Sequence, residues 1–126
     1  MEKKKLTYLN AGHCEFLVFY CAKKEIQKYA ASGLPVGIAR DRQTSYIQAD
    51  IFLSPGDVVV FYTDGVIEAK NRQNEEFGME RLEAIVMQNC SRESASIVEI
   101  IRNNVEEHAQ GCEQHDDITV VVLKQK

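Results

Sequence analysis

The sequence predicts a single α+β domain over residues 1–126, with mostly antiparallel strands and two helices before the last strand. Three observations carry that expectation. β-branched and aromatic segments broken by turn residues fill the first two-thirds of the chain. Apolar residues then recur at helical spacing between Met79 and Val105. A final β-branched run, Ile118 to Leu123, follows the break at Gly111, and no repeat or low-complexity linker divides the chain.

Taken in order, Leu6 to Asn10 reads as a strand ended by Ala11-Gly12, and Glu15 to Cys21 as a second. Lys23-Lys24-Glu25 is a hairpin turn from which Ile26 to Tyr29 returns. Ser32-Gly33-Leu34-Pro35-Val36-Gly37 is a loop, because two glycines and a proline oppose a regular element. Ser45 to Leu53 alternates, placing Ile47, Ala49, Ile51 and Leu53 on one face. Ser54-Pro55-Gly56-Asp57 has the chemistry of a turn, with Pro presetting φ and Gly supplying a positive one. Val58 to Tyr62 is apolar without alternation, the pattern of a central strand buried on both faces. The strand ends at Thr63-Asp64-Gly65 and resumes at Val66-Ile67-Glu68-Ala69, and a polar loop runs from Lys70 to Glu76. Met79, Leu82, Ile85 and Val86 form one helical stripe. Ser91 or Ser94 is positioned to cap a second helix, with Val98, Ile101 and Val105 on its apolar side.

Composition narrows the function classes. With 44% hydrophobic and 27% charged residues, the chain has the proportions of a globular domain and not of a disordered one. Fifteen Lys and Arg against 19 Asp and Glu leave a net charge of −4, which argues against nucleic-acid binding. The longest apolar run, Phe16 to Ala22, falls far short of the roughly 20 residues of a membrane span. Lys3-Lys4-Lys5 is not followed by the continuous apolar stretch of a secretory signal, so a cytoplasmic protein is expected. Cys14, Cys21, Cys90 and Cys112 form no close pair and read as free thiols.

Polar residues that can carry chemistry gather where strands begin or end. Asp64 follows the most apolar strand, Asp116 and Asp117 precede the last one, and Asn10-Ala11-Gly12-His13 joins the first two. Carboxylates held at strand ends suit a hard cation such as Mg²⁺ or Mn²⁺. Each site also has a plainer reading. Asp64-Gly65 between apolar runs is, on spacing alone, best read as a two-residue hairpin turn. Asp116-Asp117 fits a solvated strand entry, and His13 a turn histidine, with His108 and His115 isolated.

The order of the motifs goes further. Leu6-Thr7-Tyr8-Leu9-Asn10-Ala11-Gly12-His13, Gly33-Leu34-Pro35-Val36-Gly37 and Leu53-Ser54-Pro55-Gly56-Asp57 come first. Phe61-Tyr62-Thr63-Asp64-Gly65-Val66-Ile67-Glu68-Ala69, Phe77-Gly78-Met79-Glu80-Arg81-Leu82 and Asp116-Asp117-Ile118-Thr119 follow. This succession, from about Leu6 to Lys124, resembles the SpoIIE/RsbU-like branch of the PPM metal-dependent protein serine/threonine phosphatases, bacterial enzymes of stress and sporulation signalling.

The resemblance implies a β-sandwich flanked by helices, with two Mn²⁺ or Mg²⁺ ions at one end. It implies metal-ligand roles for Asp64 and Asp116, and supporting roles for Asp117 and Gly65. It implies hydrolysis of phosphoserine or phosphothreonine on a phosphorylated protein, with an anti-sigma-factor antagonist as the expected substrate. The family's earlier segment, with a Gly-Asp and a later Asp-x-x-Gly that bridge the ions, has no counterpart before Leu6. The chain is therefore expected to be the C-terminal portion of such a domain, holding metal weakly or not at all by itself, inactive alone and prone to self-association. A non-catalytic regulatory or binding module of the same fold is the alternative.

Overall fold

The computed structural model describes residues 2–38 and 46–126. Strands β1 (Lys4–Tyr8), β2 (Phe16–Tyr20), β3 (Glu25–Tyr29), β4 (Ala49–Leu53) and β5 (Val58–Tyr62) come first. Helices α1 (Asp64–Ile67), α2 (Met79–Asn89) and α3 (Ser94–His108) follow, and β6 (Val120–Lys124) closes the order. Among the described residues β1 and β4 form a two-stranded sheet, and the other strands form a four-stranded sheet in the order β3-β2-β5-β6. All these pairings are antiparallel.

The four-stranded sheet is a shared wall between two cores, and strand periodicity explains why. Successive side chains on a strand point to opposite faces. Phe16, Val18 and Val59 therefore meet Ile51 and Leu53 of the smaller sheet. Leu17, Phe19, Val58, Val60 and Tyr62 meet the helices through Leu82, Val86, Ile97 and Ile101. The result is a two-sheet sandwich with helices on one outer face. β5 is covered on both sides, as its unbroken apolar run required, and Val58, Val59 and Val60 expose nothing. The turn before it is held by Asp57, a buried carboxylate that accepts hydrogen bonds from Cys21 N (2.8 Å) and Ser54 N (2.7 Å). Gly56 takes the expected positive φ, 94°.

Several expectations need correction. Val66 to Ala69 does not resume a strand, since Asp64–Ile67 is one helical turn closed by Glu68 N to Asp64 O at 2.9 Å. Nor is Asp64-Gly65 a hairpin turn. Gly65 lacks the positive φ that a two-residue turn requires, and the strand paired beyond β5 is the distant β6. Neither Ser91 nor Ser94 caps α3. The capping position is Glu93, in extended conformation without a side-chain bond, and Ser94 is already helical. Ile97, not Val98, shares the fully buried stripe with Ile101 and Val105, at intervals of four residues. Ile47 is exposed and precedes β4, and Ser45, where the alternation was expected to begin, lies outside the described residues.

None of the four cysteines is paired, as expected, and three of them are half-buried. Among the described residues no helix is long and apolar enough to cross a membrane.

Candidate functional site

Antiparallel pairing brings three polar turns to one end of the four-stranded sheet. Tyr62 lies opposite Val120, so Asp64, two residues past Tyr62, comes beside the segment that leads into β6. Leu17 lies opposite Val60, so the turn before β2 reaches the same end. The register of the central strands thus assembles what the sequence distributes over a hundred residues.

Thr63 fastens the first two turns together. Its backbone N–H donates to Thr119 O at 3.1 Å, and its hydroxyl donates to Asp117 O at 2.9 Å. The same hydroxyl oxygen accepts from Thr119 N at 3.0 Å. Gly65 completes the clasp by having no side chain. A Cβ placed on it would lie 2.3 Å from Asp117 O, well inside van der Waals contact. The buried Gly65 and the backbone of Asp116-Asp117 can approach only because of that missing carbon. Asp64, Asp116 and Asp117 themselves are exposed carboxylates at this junction. Asp116 accepts a bond from Asp117 N at 2.8 Å, which turns the loop back on itself.

The third turn is organised by Asn10, one of the few buried polar side chains. Its Oδ1 accepts from His13 N at 2.8 Å, and its Nδ2 donates to Cys14 O at 3.1 Å. Asn10 O accepts from Ser32 N at 3.2 Å, tying the turn to the loop of Gly33 to Gly37. The Asn-Ala-Gly-His motif shapes the turn here, with His13 N–H as one of its anchors. Cys14 was not singled out in sequence as a site residue. Its thiol donates to Tyr62 O at 2.8 Å. Burial, and then the negative charge of Asp64 beside it, push that thiol's pKa above its ordinary value. Nothing in the sequence signals this contact, which depends on the β2–β5 register.

A hard divalent cation suits oxygen donors, and Asp64 and Asp116 supply such oxygens on loops that Gly65 holds in contact. Among the described residues, however, no three His, Cys, Asp or Glu side chains converge closely enough to hold an ion.

Comparison with known proteins places this architecture. The sequence model of the family described as stage II sporulation protein E (SpoIIE) matches residues 1–126. The chain belongs to the SpoIIE family. Its relatives include the phosphoserine phosphatase RsbU of Bacillus subtilis, 31% identical over 128 residues, a match spanning 100% of this chain and 36% of RsbU. Protein IcfG of Synechocystis is 31% identical over 119 residues, which cover 94% of this chain and 18% of IcfG. Among solved structures, the SiaA-PP2C domain of Pseudomonas aeruginosa superposes with a TM-score of 0.79 at 18% identity, over 97% of this chain and 47% of that one. The phosphatase domain of SpoIIE from Bacillus subtilis gives 0.70 at 19% identity, over 98% and 52%. The fold of this SpoIIE-family chain is of the PP2C phosphatase type, as the motif succession implied. The chain spans about a third or less of the curated relatives and about half of those two solved domains.

Proposed function

We propose that this chain is the C-terminal portion of a metal-dependent protein serine/threonine phosphatase that releases phosphate from phosphoserine or phosphothreonine. The observation that supports this reading most directly is the Thr63–Gly65 clasp, which keeps Asp64 and Asp116-Asp117 side by side in a SpoIIE-family chain. In the complete domain Asp64 and Asp116 each contribute a carboxylate to the metal set, and the remaining ligands come from a segment outside these 126 residues. Bound Mn²⁺ or Mg²⁺ supplies charge neutralisation at the phosphoryl group and a lowered pKa for the attacking water. The chain's own residues hold the geometry: Thr63 fixes the Asp117 carbonyl, Gly65 admits it, and Asp117 supports Asp116 through its backbone N–H. The substrate on this reading is a phosphorylated protein of bacterial signalling, an anti-sigma-factor antagonist as the motif resemblance implies, and the setting is the cytoplasm; the similarity to a phosphoserine phosphatase supports the phosphoprotein class.

A protein in which the family's earlier acidic segment precedes this chain tests the reading. Manganese-dependent release of phosphate from a phosphorylated anti-sigma-factor antagonist is expected. Asp64→Asn and Asp116→Asn lower it by orders of magnitude, because each replaces a charged ligand with a neutral one, and Asp117→Asn is milder. Circular dichroism confirms that each variant folds. Unchanged phosphate release in Asp64→Asn and Asp116→Asn overturns the ligand assignment. The 126-residue chain alone is expected to hydrolyse p-nitrophenyl phosphate negligibly, with or without Mn²⁺.

A second reading, a non-catalytic binding module, is favoured by one observation: among the described residues no three metal-binding side chains converge. A completed domain that folds yet stays inert with both Mn²⁺ and Mg²⁺ supports it.

A further inference from the structure

Beside the clasp lies a groove of about 670 Å³, walled by the exit of α1, the last turn of α3 and the segment leading to β6. Its volume is within the range of pockets that hold organic ligands or several side chains. Ala69, Val105 and Ile118 give it an apolar floor. Glu68, Glu76, Glu106, Glu113 and Asp116 line it with carboxylates, against Lys70 and His115 in the lining and the Arg72 guanidinium beside Gly111 of the wall, so acidic groups outnumber basic ones. Among the described residues, Glu106 is the member of this set with an ion-pair partner, Arg102 at 3.6 Å on the exposed side of α3.

We propose that this groove is a docking site for a basic stretch of the phosphoprotein substrate, next to the phosphorylated residue. The proposal rests on the phosphatase reading and adds to it a class of substrate sequence. Three features of the groove select this occupant. Arginine and lysine place aliphatic stems on apolar surface and keep their charged ends in water, which matches an apolar floor under an acidic rim. The carboxylates attract cations and oppose a phosphate or an acidic peptide entering this groove. Gly65 and Asp116 belong both to the groove wall and to the candidate site. A peptide lying in the groove therefore has its neighbouring residue at the metal-binding end of the sheet.

The test is direct binding, measured by fluorescence anisotropy on the 126-residue chain without metal. The probes are two short synthetic peptides around one unphosphorylated serine, one flanked by arginines and the other by glutamates. The arginine peptide is expected to bind at least about tenfold more tightly than the glutamate peptide. The exposed pair Glu106→Lys with Glu113→Lys removes that preference, with an unchanged circular dichroism spectrum. Glu2→Lys before β1 with Glu25→Lys on β3 makes the same change in net charge outside the groove lining, and is expected to weaken binding by less than about twofold. Equal binding of the two peptides overturns the proposal. So does retention of the preference in the Glu106/Glu113 variant, or an equal loss in the Glu2/Glu25 variant. Because the probes carry no phosphate and no metal is present, the two readings fail separately. No arginine preference in this chain, together with manganese-dependent phosphate release by the completed domain, rejects the groove, and the reverse rejects the catalytic assignment.

Discussion

Gly65 shows how one absent carbon organises a site. The clasp needs the Asp117 carbonyl where a Cβ of residue 65 would stand, so Gly65→Ala forces the loop outward or the sheet end apart. A loss of roughly 1–3 kcal/mol is expected, the usual cost of overpacking, read from urea unfolding. The Asp57 carboxylate is a different kind of keystone. It is buried, and its two bonds to Cys21 N and Ser54 N hold neighbouring turns. Asp57→Ala leaves two backbone donors without their acceptor and is expected to cost about 3 kcal/mol, on the scale of bonds to a charged group. Cys14 and Cys21 differ in reactivity for physical reasons. Burial and the neighbouring Asp64 charge raise the Cys14 pKa and so withhold the thiolate, whereas Cys21 is exposed. Timed iodoacetamide labelling with mass spectrometry is expected to modify Cys21 first, with Cys14 at least about tenfold slower. The sign for stability follows from the raised value. The Cys14 contribution is complete below the ordinary thiol pKa and is lost as pH rises through the raised one. At this scale the sequence showed which carboxylates stand at strand ends. It could not show that Gly65 admits a carbonyl, because that contact joins residues fifty positions apart.

At the scale of elements, legibility followed periodicity. β5 was readable because a strand apolar at every position has to be covered on both faces, and Val58 to Val60 are. α2 was readable from a stripe repeating every three or four residues, and Leu82, Ile85 and Val86 are its buried side. Two of the local readings that failed show why. α1 is four residues long, too short for any period to register, and Thr63 just before it is tied to the segment leading into β6 through Asp117 O and Thr119 O. In α3 both Ile97 and Val98 fit a helical repeat, and only tertiary packing places Ile97 in the fully buried row. The difference is measurable. Ile97→Ala is expected to cost about 2–5 kcal/mol, as truncations in a packed core do. Val98→Ala, at a partly buried position, is expected to cost less than half of that in the same urea titration.

Over the whole molecule, the sandwich is unevenly closed. β6 is an edge of the four-stranded sheet, with β5 on one side and no described strand on the other. Val120 and Val122 pack against the helical core, so the alternation of the strand turns Val121 and Leu123 to the opposite face, where they remain 53% and 39% exposed. The smaller sheet has two strands, and Phe52 on its outer side is 56% exposed. An unpaired strand edge flanked by uncovered apolar side chains is a template for pairing with another chain. The 126-residue chain is therefore expected to form a dimer or a larger assembly, with sedimentation equilibrium showing a mass that rises with concentration. Val121→Lys places a charge on that face and is expected to shift the population to monomer. Its fold should survive, because the side chain it replaces contributes to neither core. A wild-type chain that stays monomeric over the full concentration range shows that the open face is tolerated in water. A Val121→Lys variant that assembles as before shows that the contact forms elsewhere. The same logic links assembly to chemistry. On the phosphatase reading, a longer chain that covers this face from within loses the reason to self-associate at the moment it gains the further carboxylates which that reading calls for. Monomer mass and manganese-dependent phosphate release are then expected to appear together when the domain is completed.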